Sequence, residues 1–289
     1  MNLEEETRFI LKKYEIKANK DLGQNFLIDE NVVCNIVESA NIGKEDLVIE
    51  IGPGLGTLTN ELLKKAGKVI AVELDTKMIK ILNDRFCLYK NFELINEDIL
   101  KVDLKALISE NLNNINTETS IKHAKIVANL PYYITTPIVM KLLEEELNIE
   151  TITVMIQKEV ADRLTAIPGE KLTGAITYTV YYYAEGKKII KVLKESFMPE
   201  PSVDSEVIQL KIRKLDNLYV RDKQLLFKII KYAFMQRRKT LVNALEKTDL
   251  FKNKQEIIEI LKDMGIDEKI RGENLTLEQF AEICNRISK

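Results

Sequence analysis

The stretch best equipped for chemistry is "NLPYYITTPI" (129–138), which follows the apolar run "AKIVA" (124–128). A chain leaving a buried strand can turn on Gly or Asp alone. Here it presents an amide, a carbonyl ahead of proline, and an aromatic ring in succession. The Asn129 side chain carries a carbonyl that accepts hydrogen bonds. Pro131 confines Leu130 to extended geometry and so fixes the direction of the Leu130 carbonyl. Tyr132 offers an aromatic face for stacking. An amine whose lone pair is delocalised is a poor nucleophile. Two acceptors aimed at its N–H bonds favour a more tetrahedral nitrogen with an available lone pair. Taken alone, "NLP" also fits a strand end closed by an Asx turn.

A second constellation lies upstream. In "VIEIGPGLGTLT" (48–59) a strand-like run leads into Gly52-x-Gly54-x-Gly56 and then a helical pattern. Glycines let the backbone turn tightly and approach a ligand without a Cβ in the way. The next apolar run ends in "VELD", placing Glu73 where an acid accepts hydrogen bonds from both hydroxyls of a ribose. The third runs into "NEDIL", placing Asp98 where it can receive an adenine amino group. These features fit NAD and S-adenosyl-L-methionine (SAM). The GxGxG spacing favours SAM, because GxGxxG seats a pyrophosphate on a helix N-terminus and SAM has no phosphate.

The elements that must position these groups follow from periodicity. Apolar runs at 47–52, 68–73, 92–96, 124–129 and 151–157 alternate with amphipathic stretches such as "TLTNELLKKAG" and "TKMIKILNDRF". Val/Ile-rich strands separated by helices predict a parallel sheet covered on both faces. A further pair at about 187–193 and 205–213 brings the expected sheet to seven strands, the two joined by a Pro- and Ser-containing return. After about Asp216 only helical patterns remain: "DKQLLFKIIKYAFMQRRKTLVNAL", "NKQEIIEILKDMG" and "TLEQFAEICNRI", the last capped at Thr276. The expected organisation is a ligand-binding α/β domain over 1–214 and a small all-α domain over 215–289. The polar segment 109–121 reads as an exposed loop.

Composition narrows the chemistry. The three cysteines are far apart and lack CxxC spacing, which argues against a disulfide framework or a zinc site, and a single histidine, His123, leaves little for a triad or a His-rich metal site. No metal is expected. No apolar run reaches the ~20 residues of a membrane span, and the charged N-terminus does not read as a signal peptide, so a cytoplasmic protein is expected. Residues 186–239 carry 14 Lys and Arg against 6 Asp and Glu, a balance of +8, which leaves −10 for the rest of a chain whose total is −2. Such a block is either a polyanion-binding face or a solvated helical surface.

Asn129-Leu130-Pro131-Tyr132 resembles the motif of methyltransferases that act on exocyclic amines of bases. The longer "NLPYYITTPI" is similar to that of the rRNA adenine dimethyltransferases. "LGQNFLID" (22–29) resembles that family's cofactor lid, "FMPEPSVDSEVI" (197–208) its F-x-P-x-P-x-V-D-S segment, and "AFMQRRKTLVNAL" (233–245) and "IRGENLTLEQFAEI" (270–283) its C-terminal helices. Nearly the whole chain takes part, and the C-terminal segments favour the bacterial small-subunit (KsgA-type) members.

The resemblance implies a class I SAM-dependent methyltransferase with a Rossmann-like seven-stranded sheet. It also implies dimethylation of two adjacent adenosines in the 3′-terminal hairpin loop of 16S rRNA, and a monomer whose partner is the small ribosomal subunit or its precursor. It assigns Gln24, Asn25 and Leu27 to closing over SAM, Gly52 to its methionine part, Glu73 to its ribose and Asp98 to its adenine, with Gly54, Leu74 and Ile99 among the cofactor-binding residues. Asn129 falls to the border between cofactor and substrate. Leu130, Pro131 and Tyr132 complete the chemical site. Phe197 is either a second stacking face for the target base or a core aromatic. Arg237, Arg238 and Lys239 are either phosphate contacts or solvated helix residues. The chain departs from the family pattern at Thr173-Gly174 and Ile176-Thr177. Rival activities are a large-subunit rRNA or DNA adenine methylase and, outside catalysis, an RNA-binding assembly or transcription factor on the same fold.

Overall fold

The computed structural model describes residues 2–19, 22–113, 121–170, 172–213 and 218–288. A two-residue strand β1 (Phe26–Leu27) precedes β2 (Asp46–Ile51), β3 (Lys68–Glu73), β4 (Phe92–Asn96), β5 (His123–Asn129), β6 (Thr151–Gln157) and β7 (Ala184–Val192). The short β8 (Phe197–Met198) and β9 (Ser205–Ile212) follow. The seven expected strands form one sheet in the order β4-β3-β2-β5-β6-β9-β7, and β1 pairs with β8 apart from it. β2 runs parallel to β3 and β5, as do β3 to β4 and β5 to β6, while β9 is antiparallel to β6.

All six residues of β2 are buried, its two acids Asp46 and Glu50 included, so protein covers both its faces. From β2 the chain winds outward through β3 to β4, then returns to lay β5 and β6 on the other side. The direction reverses between β2 and β5. In open α/β sheets, ligands bind beyond the carboxyl ends of the strands at such a switch point. The glycine loop follows β2 and Asn129 ends β5, so topology alone brings them together.

Helices α1 (Leu3–Lys13), α2 (Glu30–Ser39), α3 (Thr57–Lys65), α4 (Thr76–Phe86), α5 (Leu104–Leu112) and α6 (Thr135–Glu144) accompany the first six strands. Gly56 caps α3 with φ +82, and a Cβ there would lie 2.4 Å from the Phe86 ring of α4. Glycine is therefore needed both for the turn and for the close approach of α3 to α4. α5 extends through Leu112, so the start of the expected loop 109–121 is helical. Residues 114–120 lie outside the described residues.

Helices α7 (Lys158–Leu164), α8 (Ala175–Tyr183), α9 (Lys223–Met235), α10 (Leu241–Leu245), α11 (Lys254–Asp263) and α12 (Leu277–Ile287) complete the chain. It divides into two compact units, Met1–Ala161 with Lys187–Ile212, and Asp162–Gly186 with Arg213–Lys289. The single boundary expected near 214 falls beside residues 214–217, outside the described residues. Residues 162–186, expected in the first domain, group with the helical unit instead. The cause is packing. "AITYTVYYY" is rich in β-branched and aromatic residues that favour strands. As α8, however, it buries Tyr178 completely, with the ring against Phe234 and Phe280 and the hydroxyl donating to the Leu275 carbonyl at 2.5 Å.

The expected continuous helix over 222–245 is also broken. Lys239 N–H closes a turn on the Gln236 carbonyl, and the Thr240 hydroxyl caps α10 through Asn243 N–H. Among the described residues, no helix is long and apolar enough to cross a membrane.

Candidate active site

A cleft with about 1150 Å³ of empty space, its open mouth included, lies at the switch point. Gln24, Asn25, Leu27, Gly52, Gly54, Glu73, Leu74, Asp98, Ile99, Asn129, Leu130, Pro131 and Tyr132 all line this one cleft.

Asn129 is the last residue of β5, where the parallel ladder ends opposite Met155. Its side-chain amide donates to the Asn25 carbonyl at 3.4 Å. Among the described residues no donor reaches Oδ1, so the oxygen remains an acceptor on the cleft wall. Leu130 N–H donates to the Met155 carbonyl, and Pro131 sits at φ −59, ψ 133. Both groups entering α6, Ile134 N–H and the Thr135 hydroxyl, bond to the Pro131 carbonyl. The Leu130 carbonyl, one residue earlier, thus has no protein donor among the described residues. The turn leaves two carbonyl oxygens unspent at adjacent positions. Tyr132 follows in a short 3₁₀ turn, half-buried, with its hydroxyl 2.5 Å from the buried Ser205 Oγ. Burial raises its pKa, which keeps the phenol neutral.

Glu73 ends β3 and is buried. Its Oε2 accepts from Gly54 N–H at 3.1 Å and its Oε1 from Asp75 N–H at 2.8 Å. Each oxygen keeps a further lone pair for a ligand hydroxyl. Desolvation raises its pKa, against the lowering effect of those amides. Asp98 is half-buried and spends Oδ1 on Leu100 N–H at 3.0 Å.

Glu50, which the sequence reading did not single out, also lines the cleft. It is 1 % exposed, and its Oε2 accepts from the Thr59 hydroxyl at 2.6 Å. Desolvation, assisted by the charge of Glu73 and opposed by Thr59, pushes its pKa up to about 8. The signal was present in "VIEIG": a carboxylate inside an apolar run is costly unless a charge or ligand meets it. Two buried carboxyls, neither bonded to a cation among the described residues, fit a positively charged ligand, as a sulfonium carrying an α-ammonium group is.

The segment before β1 is held over this wall. Gln24 bridges Asn19 N–H and the Asp75 carboxylate at 2.8 Å each, tying the N-terminal loop to the start of α4. Phe197 stands apart. It is 3 % exposed, pairs with Leu27 across β1 and β8, and belongs to the hydrophobic core. Of its two expected placements the structure takes the core one, because the short β1–β8 pair faces its ring inward. Arg237, Arg238 and Lys239 are exposed in the turn between α9 and α10 of the helical unit. Arg237 donates to the Thr173 carbonyl at 2.9 Å and pairs with Glu273 at 3.4 Å. Among the described residues no group of three His, Cys, Asp or Glu is placed to hold a metal.

A family model described as "Ribosomal RNA adenine dimethylase" matches residues 15–289. The chain belongs to that family. It is 46% identical over 283 residues to the ribosomal RNA small subunit methyltransferase A of Alkaliphilus oremlandii, covering 98% of this chain and 96% of the relative. It is 48% identical over 282 residues to the protein of the same name from Clostridioides difficile, covering 98% and 95%. Among solved structures it resembles a dimethyladenosine transferase from Plasmodium falciparum, with TM-score 0.72 and 25% identity over 90% of this chain and 96% of that one. The fold also matches the 23S rRNA methyltransferase ErmE, with TM-score 0.65 and 24% identity over 92% of this chain and 100% of that one. The family's fold is the class I methyltransferase fold, and methyl transfer in this family implies the use of SAM.

Proposed function

We propose that this protein methylates the N6 amines of two adjacent adenosines in the 3′-terminal hairpin loop of 16S rRNA, each twice, using SAM held in the switch-point cleft. The observation that carries the reading is the pair of unspent acceptors, Asn129 Oδ1 and the Leu130 carbonyl, on the wall of a cleft that also holds Glu73 and Asp98. The choice of the small subunit rests on relatives at 46% and 48% identity that carry small-subunit names. The likeness to ErmE bears on the fold alone.

When bound, SAM supplies an electrophilic methyl group on a sulfonium. Glu73 receives the ribose hydroxyls on the lone pairs its backbone amides leave free, and Asp98 receives the adenine amino group on Oδ2. Leu74 and Ile99 supply apolar contact beside those acids, and Gly52 and Gly54 admit the methionine end. Glu50 meets the positive charge of that end. Gln24, Asn25 and Leu27 form the wall that closes over it.

On the substrate side, Tyr132 stacks on an adenine taken out of its RNA context, its ring fixed by the bond to Ser205. Asn129 Oδ1 and the Leu130 carbonyl accept the two N–H bonds of the N6 amine, which turns its lone pair away from the ring and toward the methyl group. Displacement at carbon then depends on holding nucleophile and electrophile in line, the kind of positioning that contributes several kcal/mol without any acid, base or metal. After the first transfer one N–H remains, and one of the two carbonyls suffices to orient it. The proton lost from nitrogen leaves to solvent. Arg237, Arg238 and Lys239 contact phosphates, and the protein works as a cytoplasmic monomer on the small subunit or its precursor.

Incubation with labelled SAM and, separately, unmethylated small subunits, large subunits and duplex DNA tests the reading. Label is expected in small-subunit rRNA as N6,N6-dimethyladenosine. Label confined to large-subunit rRNA or DNA overturns the assignment, and no label on any of them favours a non-catalytic RNA-binding role.

A further inference from the structure

Tyr133 has no part in the site described so far, yet it borders the same cleft as Asn129. It follows Tyr132 in a 3₁₀ turn, where successive side chains are rotated by about 120°, so the two rings project in different directions. Their environments differ as well. Tyr132 is half-buried and anchored to Ser205. Tyr133 is 55 % exposed, and among the described residues its hydroxyl has no partner. The backbone of Gly23 comes close to its ring at Cδ1. Gly23 sits at φ +61, and a Cβ there would lie 3.2 Å from Tyr133 Cδ1 and 3.7 Å from Tyr132 N. A glycine at this point lets the loop come up against the ring and limits its freedom before anything binds, which lowers the entropy cost of a contact.

We infer that Tyr133 is the stacking platform for the nucleobase next to the target adenine. The inference rests on the proposed function, in which two adenosines are neighbours in the RNA chain. When one base is drawn into the cleft, its neighbour loses a stacking partner one nucleotide away. An exposed aromatic face beside the cleft mouth replaces that partner, and every base has a face that fits it. Tyr132 thus receives the base that reacts and Tyr133 the base that waits. When the two exchange, the same pair of rings serves the second adenosine, already methylated or not, because stacking does not consult the N6 substituents.

The test uses the full chain with unmethylated small subunits and labelled SAM. Tyr133→Ala is expected to lower kcat/KM for subunits by on the order of 5- to 150-fold, the range that base–aromatic stacking spans, mainly through KM, with the dissociation constant for SAM kept within about twofold. Tyr133→Phe, which keeps the ring, is expected to restore the wild-type KM. Subunits reassembled with an abasic nucleotide beside the target adenosine supply a readout that a structural role would not move. With them the penalty of Tyr133→Ala should vanish, since the ring has lost its ligand. A KM unchanged in Tyr133→Ala overturns the inference, and so does a Tyr133→Phe as weak as the alanine variant. The same holds for an equal penalty on abasic and intact RNA, or a parallel loss of SAM affinity. A wild-type protein that methylates no small subunit overturns the proposed function and this inference together, whereas an active wild type with an indifferent Tyr133 overturns this inference alone.

Discussion

The buried carboxyl of Glu50 should make the ligand-free protein lose stability as pH rises. Its pKa in the folded protein is about 8 against an ordinary 4.5, chiefly because burial removes water from the charged form. Between those values the folded chain binds a proton that the unfolded chain has lost, so stability falls with rising pH. The contribution is fully present below about 4.5 and is lost as pH passes through about 8. At 1.36 kcal/mol per unit, the 3.5-unit difference amounts to about 5 kcal/mol, of which about 4 falls between pH 5 and pH 9. That is a large part of the ~5–15 kcal/mol that a folded domain has to spare. Glu50→Gln removes the titration and keeps an acceptor for the Thr59 hydroxyl, which now lies at 2.6 Å. Urea unfolding of both proteins at pH 5, 7 and 9, without SAM, isolates the effect, since the other titrating groups are common to both. The wild type should lose about 4 kcal/mol relative to the variant across that range. A difference constant to within about 1 kcal/mol would refute the placement of a buried, uncompensated carboxyl. The same protonation opposes a cationic ligand. SAM affinity should therefore rise with pH up to about 8 in the wild type and stay flat in Glu50→Gln.

Three further outcomes follow from the geometry. Gly56→Ala should destabilise the fold by about 2–4 kcal/mol in denaturant titration, because it joins a strained φ to an overpacked contact with the Phe86 ring. Lys125→Ala should cost about 3–5 kcal/mol by the same assay, since it strips the buried Asp46 carboxylate of its ion pair at 2.8 Å and leaves the Asn41 carbonyl without its donor. Glu73→Ala should weaken SAM binding at least tenfold by calorimetry, as two charge-assisted hydrogen bonds to the ribose are lost; unchanged affinity would remove Glu73 from the cofactor site.

The parts of this protein that were legible in its sequence share a physical reason. The runs that became the inner strands β2, β3, β5 and β6 are largely apolar and buried because both faces of a central parallel strand are covered, and Gly52, Glu73, Asp98 and Asn129 each stand at or just beyond a strand end that the switch point brings into one cleft. Strand ends are fixed by the same pattern that reveals the strands. What the sequence hid was decided by contacts between distant residues. Strands β1 and β8 are two residues long and have no periodicity to detect. The helix α8 carries residues with strand preference, and only the partners of Tyr178 at Phe234, Leu275 and Phe280 account for its state. Glu50 looked like one acid in a strand until its burial was known. Phe197 had two readings that composition could not separate, and the packing of β1 against β8 separated them.

The most direct measurement concerns Asn129. The Asn129→Ala variant and the wild type are each given SAM and unmethylated small subunits, and methylation of small-subunit rRNA is followed in single turnover beside the SAM dissociation constant. Loss of Oδ1 removes one of the two acceptors that orient the amine, so the methylation rate should fall by orders of magnitude while SAM affinity changes by less than about tenfold. An Asn129→Ala protein that methylates at the wild-type rate would contradict the account, because the unspent carbonyl at the end of β5 would then have no part in the chemistry.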